Sequence, residues 1–397
     1  VEGNIITLTG SVKLTDVITF ESGSWILDLK DYDLNASEAY QVKAVGVTGG
    51  ELTIRGTGGI IGSDLGPTMS ADPSNRDPYG RAVLMTGGKL TLEDSVSLTG
   101  GKGDYIGTDA IRAKNATVVI KGNASLTGGA GPVLGNGFGL QAENCTVAIS
   151  GSPVITGAAD QHGIFLKEGS ITISDTPAIR GGTGSYDSSI GLYVTDGGTA
   201  VISGGTFTGD DTGLFVQEDT SSVTLSGGTY RGGLGAIAIE RSTALTVVSF
   251  LGNGYVYAIN DQLIESSQIQ NKKSIGAANE NVTVKPVTLP AITTHTLPSG
   301  TVGTEYSQTL AADGTAPVTW SKESGNLPDG LILDSSGTIT GTPTVSGTFT
   351  FTVKAENIAG SNTKELSIRI AALTYTINGM IKGSDTESGI AATLQLK

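Results

Sequence analysis

Acidic side chains recur just before short alternating apolar segments of this chain. They are Asp109, Asp160, Asp187, Asp210 and Asp211, with His162 close to Asp160 and Tyr186 next to Asp187. Paired carboxylates can act as general acid and base in the hydrolysis of a glycosidic bond. A polysaccharide lyase would instead need a Ca²⁺-holding acid cluster and an Arg or Lys base, for which Arg112 and Lys167 are placed. The candidate catalytic residues are therefore Asp160, His162, Asp210, Asp211 and Arg112.

The same residues have a plain structural interpretation. Asp and Asn are ordinary turn residues, because their short side chains bond to nearby backbone and tolerate left-handed conformations. With His162 and His295 as the two histidines, a histidine-based metal site is not expected. No metal or other cofactor is predicted, with Ca²⁺ as the one exception left open.

Short strands that repeat along the first two thirds of the chain would position these residues. Their first apolar residues are Leu52, Leu90, Val118, Val147, Ile171, Ala200, Val223 and Leu245. A period of roughly 20–30 residues indicates a solenoid, in which each repeat buries its apolar side by stacking on its neighbours. The last of these predicted strands is Ala244 to Val247.

Each repeat contains two further apolar alternations, one upstream and one downstream of the marker strand. The upstream set runs from Val83 and Met85 to Ile237 and Ile239, and the downstream set runs from Leu98 to Tyr230. Three short strands per repeat, separated by Gly, Asn or Asp, coil readily into successive rungs of parallel sheets. A β-propeller would need about 40 residues per blade. The chain resembles the right-handed parallel β-helix of the pectate-lyase-like superfamily over residues 1–284, including an N-terminal cap.

Aligning the upstream strands places one column of side chains on the outer face. That column is Leu84, Arg112, Gln141, Phe165, Tyr193, Phe215 and Ala238. A neighbouring column, two residues further on, is Lys114, Glu143, Lys167, Thr195, Gln217 and Glu240. Outward side chains of successive rungs lie about 4.8 Å apart.

Three adjacent rungs of this column carry aromatic rings, in a chain with 5% aromatic residues. Aromatic faces beside charged and amide groups suit the apolar faces and hydroxyls of sugars. The predicted ligand-binding residues are Phe165, Tyr193, Phe215, Arg112, Gln141, Lys167 and Glu240. The alternative is that the rings stack on one another or lie under a loop such as the segment 63–80.

The resemblance to β-helix enzymes does not extend to their catalytic pattern. Polygalacturonases of that superfamily place Asp pairs and a Gly-His-Gly motif on one face. Here Gln161-His162-Gly163 precedes Asp210-Asp211 instead of following it, and no Arg-x-Lys follows. A non-catalytic protein is therefore favoured over a polysaccharide lyase or glycoside hydrolase acting on acidic polysaccharide.

Composition shifts after Val284. Residues 285–297 are rich in Pro and Thr and are predicted to be a linker. Residues 298–371 contain the LPxGL turn at Leu327, the GTP turn at Gly341 and Trp320 as the expected core aromatic. They resemble the immunoglobulin-like repeat of bacterial surface proteins, which implies a seven-stranded β-sandwich used as a spacer or adhesive module. Residues 372–397 resemble the opening strands of a carboxypeptidase-regulatory-like module.

Charge and cysteine content limit the partners. A net charge of -14 argues against nucleic acid, because nothing neutralises its phosphates. The one cysteine, Cys145, lies in a strand-like run and is expected to be buried. No signal peptide or membrane-inserting segment is recognised. The sequence predicts an all-β monomer that binds polysaccharide or a surface glycan, or serves as a structural spacer, and the resemblance to the immunoglobulin-like repeat implies an extracellular protein of the bacterial cell surface.

Overall fold

A computed structural model of the chain describes residues 4–39, 43–64, 80–103, 108–131, 137–184, 189–242 and 244–374. The chain divides into two compact units, Val1–Val287 and Thr288–Lys397. The first is a parallel β-solenoid and the second is an immunoglobulin-like β-sandwich. The predicted fold class is confirmed.

Three sheets form the solenoid, and each described rung contributes one strand to each of them. Sheet A contains Asn4–Thr7, Ser24–Asp28, Glu51–Arg55, Lys89–Leu92, Thr117–Ile120, Thr146–Ile149, Ser170–Ile173, Thr199–Ile202 and Ser222–Leu225. Sheet B contains Val12–Lys13, Leu34–Asn35, Gly59–Ile61, Ser97–Thr99, Ser125–Thr127, Val154–Ala159, Ala178–Gly182, Thr206–Gly209 and Thr229–Gly232. Sheet C contains Ile18–Phe20, Val45–Val47, Val83–Met85, Ile111–Lys114, Leu140–Glu143, Ile164–Lys167, Ile190–Thr195, Thr212–Gln217 and Gly235–Glu240.

Alternation of apolar and polar residues sets the register of these sheets. A strand exposes alternate side chains on opposite faces, so an apolar residue at every second position fills the interior. In sheet B the inward positions of successive rungs are Leu98, Leu126, Ile155, Ile179, Phe207 and Tyr230, and none of them is exposed. The rings of Phe207 and Tyr230 stack with centroids 5.0 Å apart. The predicted interior column is confirmed.

Connections between strands differ sharply among the three corners. The corners from sheet A to B and from sheet C to A take two to five residues. Left-handed residues such as Asn115 and Asn144 turn the chain from sheet C to sheet A, and the Asn144 amide donates to Asn115 Oδ1 at 2.8 Å. The corner from sheet B to C ranges from two residues, at 210–211, to the long segment 62–82. Large variation in length is thus confined to the edge where the strands of sheet C begin.

Antiparallel strands and short helices close the C-terminal end of the solenoid. Ala244 to Val247 was predicted as a further marker strand, and this prediction is wrong. Val247–Phe250 forms a 3-10 helix, with Val247 and Phe250 buried against the last rung. Val282–Pro286, Tyr255–Ile259 and Gln262–Ile264 extend sheet B, Ser274–Ile275 extends sheet C, and Ser266–Ile269 is an α-helix. The apolar side chains of residues 244–247 therefore help to cover the end of the solenoid, and these residues do not form a strand of sheet A.

The first described residues form a rung. The described segment begins with Asn4–Thr7, which pairs in parallel with Ser24–Asp28. No separate cap is therefore found in residues 4–39. The described helices are too short to span a bilayer.

The second unit contains two main sheets and a short strand pair. One sheet has Gly300–Thr301, Gly360–Ala371, Gly347–Asn357 and Thr319–Gly325, and the other has Tyr306–Thr309, Thr338–Gly341 and Leu331–Leu333. Ala291–Ile292 pairs with Ala312–Asp313, so the predicted linker 285–297 holds the end of one strand of the solenoid and one strand of the sandwich. Trp320 is buried in the core of this unit, as predicted. The predicted third module at 372–397 lies outside the described residues from 375 onwards.

Candidate functional site

The outward column of sheet C is present as the sequence predicted. Arg112 pairs with Leu84 and Gln141, and the register continues through Phe165 to Tyr193. It ends through Phe215 at Ala238. All seven side chains are partly buried on the outer face. They form a continuous surface along the solenoid, which we call the sheet C column.

The three aromatic rings of the column contact one another edge to face. The centroids of Phe165 and Tyr193 are 5.2 Å apart with an interplanar angle of 79°, and those of Tyr193 and Phe215 are 5.0 Å apart with an angle of 84°. Edge-to-face contact is favourable because the positive edge of one ring meets the negative face of the next. The rings therefore support each other, while part of each remains exposed to solvent.

Two further rings, those of Phe138 and His162, lie just before strands of sheet C and complete an aromatic cluster. Phe138 lies 5.4 Å from His162 and 5.6 Å from Phe165, with nearly parallel planes. His162 also meets the edge of Tyr193 at 5.2 Å. The sequence analysis did not include Phe138. Extending the strand register by two residues towards the N-terminus would have found it, since Phe138 and His162 hold the same place before their strands.

His162 is held as a neutral ring. The backbone N–H of Ile190 donates to its Nδ1 at 3.2 Å, so the ring proton is on Nε2. Burial lowers the pKa of His162 from 6.5 to about 4, because the charged ring would be desolvated. This arrangement does not favour the predicted role of His162 as a catalytic acid or base. It makes His162 a hydrogen-bond donor beside the column.

The low pKa of His162 leads to a measurable prediction. An NMR titration should show the His162 ring protonating at about 4 instead of near 6.5. The unfolded chain binds this proton at the ordinary pKa, so His162 should destabilise the folded state progressively as the pH falls from 6.5 towards 4, and its contribution should not change further below that. A His295→Gln variant assigns the signals, because the chain has two histidines. A His162 midpoint near 6.5 would contradict the assigned burial.

Asp109 is buried in the wall of the solenoid and does not face solvent with the other acids. It is fully buried, and its Oδ2 lies 3.2 Å from Nε of Arg81, which is also buried. Its Oδ1 accepts the backbone N–H groups of Gly137 and Phe138, both at 3.1 Å. Asp109 thus lies before a strand of sheet C, as the other turn acids do, but its carboxylate is buried. Its carboxylate is used to hold the connection that carries Phe138.

The remaining acids lie where the connections enter sheet C. Asp210 Oδ2 accepts the backbone N–H of Gly184 at 3.1 Å, and a Cβ atom at Gly184 would overlap the carboxyl group of Asp160. Two carboxylates therefore approach one glycine. Thr212 donates to Asp211 Oδ1 at 3.0 Å. Tyr186 and Asp187 lie outside the described residues.

Side chains of the neighbouring polar column form ion pairs and hydrogen bonds. Lys114 contacts Glu143 at 2.9 Å, and the hydrogen bond from Lys114 lowers the pKa of the Glu143 carboxyl. Lys167 lies 3.5 Å from Asp196. The Tyr193 hydroxyl donates to Gln217 Oε1 at 2.7 Å.

The polar column continues to Glu240, whose carboxylate accepts from Gln217 Nε2 at 3.4 Å. Thr195 also donates to Gln217 Oε1, at 3.2 Å. Gln217 thus ties the aromatic column to the polar one. The ligand-binding roles of Lys167 and Glu240 stay predictions.

Arg112 and Gln141 form the polar end of the sheet C column. They are directly paired neighbours, and Gln141 is in turn the neighbour of Phe165. Gln141 Oε1 is buried without a hydrogen-bond partner. Among the described residues, none forms a salt bridge or hydrogen bond with Arg112. In the same described ranges, no three His, Cys, Asp or Glu side chains converge as a metal site, and the calcium prediction is untested.

Fold and surface together define a class of protein: a parallel β-solenoid with an outward aromatic column, joined to an immunoglobulin-like sandwich. Residues 285–371 match the family described as "Putative Ig domain". The match covers residues 288–371 of the second unit and confirms the predicted immunoglobulin-like repeat. A comparison with curated proteins finds no match to this chain.

Several solved structures are similar to parts of the chain. A putative alpha-galactosidase from Bacteroides fragilis is 39% identical over 21% of this chain and 17% of its own, with a TM-score of 0.19. A SusE-like surface-located polysaccharide-binding protein of Bacteroides thetaiotaomicron is 24% identical, over 22% of this chain and 15% of its own, with a TM-score of 0.17. An endo-fucoidan hydrolase of glycoside hydrolase family 107 is 15% identical, over 41% of this chain and 28% of its own, with a TM-score of 0.20. The chain spans less than a third of the length of each.

Proposed function

We propose that this chain is a non-catalytic, extracellular bacterial surface protein that binds glycan through the sheet C column. The observation that carries the proposal is the run of Phe165, Tyr193 and Phe215 on three adjacent rungs, each ring partly exposed on the outer face. Aromatic faces flanked by fixed hydrogen-bonding groups match a sugar, which has apolar faces and a polar rim. The immunoglobulin-like unit would serve as a spacer that presents the solenoid.

Arrangement of the polar groups supports this function. The Tyr193 hydroxyl, Gln217 and Glu240 form one hydrogen-bonded chain along the column, so their geometry is set before a ligand arrives. Pre-organised groups lose less entropy on binding. The protein acts in this proposal as a monomer, with no nucleic acid or membrane partner.

A second candidate function is hydrolysis or lysis of an acidic polysaccharide. The approach of Asp160 and Asp210 to Gly184 is the observation that favours it, because two neighbouring carboxylates can divide acid and base roles. Against it, the neutral His162 has its Nδ1 occupied by a backbone N–H.

A glycan array combined with a reducing-sugar assay on uronic-acid polymers separates these functions. The proposal expects binding on the array and no release of reducing ends. Turnover that is lost in Asp160→Asn and Asp210→Asn variants would establish the enzyme instead. The absence of both binding on the array and release of reducing ends would indicate a structural spacer.

A further inference from the structure

We propose that the outer face of sheet B carries a separate binding site, which takes a sulfate or phosphate group between Arg180 and Arg231. This site lies on a different sheet from the column of the proposed function and does not depend on it. The ligand class follows from the placement of the two arginines, from their lack of acidic partners in the chain, and from the shape of an anion that two guanidinium groups can share.

Arg180 and Arg231 lie in one outward column of sheet B, on either side of Thr208. Arg180 pairs directly with Thr208, and Thr208 pairs with Arg231. The residues that precede the arginines, Ile179 and Tyr230, fill the interior, so both arginine side chains stand on the outer face, where they are exposed. Two rungs separate the arginines, which places their Cα atoms about 10 Å apart.

Neither arginine has an acidic partner. Among the described residues, no carboxylate forms a salt bridge or a hydrogen bond with either guanidinium group. The six strands of sheet B from Ser97–Thr99 to Thr229–Gly232 contain no Asp or Glu, in a chain with 38 acidic residues. The two positive charges therefore lie on an otherwise uncharged part of the sheet.

Lysines on the other two sheets have a different environment. On sheet A, Lys89 lies 3.9 Å from Glu51, and on sheet C, Lys114 lies 2.9 Å from Glu143. In both pairs the acid is the direct neighbour of the lysine on an adjacent rung. The neighbours of Arg180 on adjacent rungs are Thr156 and Thr208, so the chain supplies no counter-charge there.

Two arginines on either side of a gap suit a tetrahedral anion. Each guanidinium group presents a fork of N–H donors that binds two oxygens at about 2.8 Å. A sulfate or phosphate has oxygens for two such forks on opposite sides, and the two guanidinium carbons are then about 8 Å apart. Side chains that stand roughly perpendicular to the sheet are already close to that separation. Thr208 leaves the gap open because its side chain is short, whereas a carboxylate, with two oxygens, needs only one fork.

Isothermal titration calorimetry on the full chain tests the site with sodium sulfate, sodium phosphate, glucose 6-sulfate and glucose 6-phosphate, at an ionic strength held constant with sodium chloride. One anion should bind per chain. Arg180→Gln and Arg231→Gln should each weaken binding roughly tenfold or more, because each removes a charge-assisted bidentate contact. Lys89→Gln removes the same charge from sheet A and is the matched control, with an expected change of less than about twofold.

Arg180→Lys separates the fork from the charge. It keeps the positive charge on an exposed position and removes the paired donors, so binding should weaken roughly threefold to tenfold. Circular dichroism shows whether each variant is folded. Tighter binding of the sugar esters than of the free anions would identify an esterified sugar as the source of the group, and the reverse order would identify the free anion.

Four results would overturn the site. They are no binding of any of the four anions, equal weakening by Lys89→Gln and by the arginine variants, unchanged affinity in Arg180→Gln or Arg231→Gln, and glucuronate, a carboxylate, binding as tightly as glucose 6-sulfate. None of them affects the glycan proposal for sheet C, because Arg180 and Arg231 lie on another sheet. Absence of glycan binding on the array would in turn leave the anion site standing.

Discussion

Replacing Asp109 with alanine is expected to lower the free energy of unfolding of the solenoid by about 3–5 kcal/mol, the usual cost of removing one partner of a buried ion pair. The carboxylate is fully buried against Arg81 and accepts two backbone N–H groups, from Gly137 and Phe138. Its removal leaves those donors and the buried guanidinium without that acceptor. Chemical denaturation followed by far-ultraviolet circular dichroism measures the loss.

An exposed ion pair provides the matched control for Asp109. Lys13 and Glu38 lie 2.7 Å apart, yet their side chains are 72% and 74% exposed. Water and salt screen such a pair, so Glu38→Ala should have no measurable effect. Equal stability of Asp109→Ala and Glu38→Ala proteins would show that the buried pair is unimportant. Asp109→Asn, which keeps an acceptor for the two N–H groups, should be less damaging than Asp109→Ala.

The second large effect is expected for glycan binding by a Tyr193→Ala variant, with a loss of about 2 kcal/mol or roughly thirtyfold in Kd. Tyr193 contacts His162, Phe165 and Phe215, and its hydroxyl donates to Gln217. Without this ring, Phe165 and Phe215 each lose the neighbour whose edge-to-face contact fixes their orientation. Titration calorimetry with the glycan that binds best on the array gives the affinity.

Tyr193→Phe separates the ring from its hydroxyl. It keeps the edge-to-face contacts and removes the hydrogen bond to Gln217, so it should retain most of the affinity. Val201→Ala, on the exposed face of sheet A, serves as the control away from the column, and circular dichroism shows whether each variant is folded. A folded Tyr193→Ala protein that binds glycan as tightly as the parent would refute the role given to the column.

Much of the solenoid was predictable from local sequence. Placing Phe165, Tyr193 and Phe215 on adjacent rungs required only the alternation of each strand and the short corners between sheets C and A. A one-residue shift would move every apolar side chain from the interior to solvent, so the register has little freedom. The alternation of Ala244 to Val247 led to a wrong strand prediction, because the same pattern is compatible with a short segment that packs against the end of the solenoid.

Side-chain environments at the entry to sheet C were less predictable. Asp109, Asp160 and Asp210 look alike as turn acids in the sequence. Asp109 became a buried partner of Arg81, whereas Asp160 and Asp210 approach Gly184. Phe138 joined the aromatic cluster from a position two residues before its strand, where the sequence analysis did not extend the register.

By itself the sequence determined the rungs, the inward and outward faces, the aromatic column and the immunoglobulin-like unit, because these depend on a two-residue period and on turn residues that repeat. Tertiary structure alone decided which acids are buried, how the rings are turned relative to one another, and which ring nitrogen of His162 carries the proton. Those properties depend on contacts between connections of different length in successive rungs. Such contacts are set by packing in three dimensions, and no local pattern encodes them.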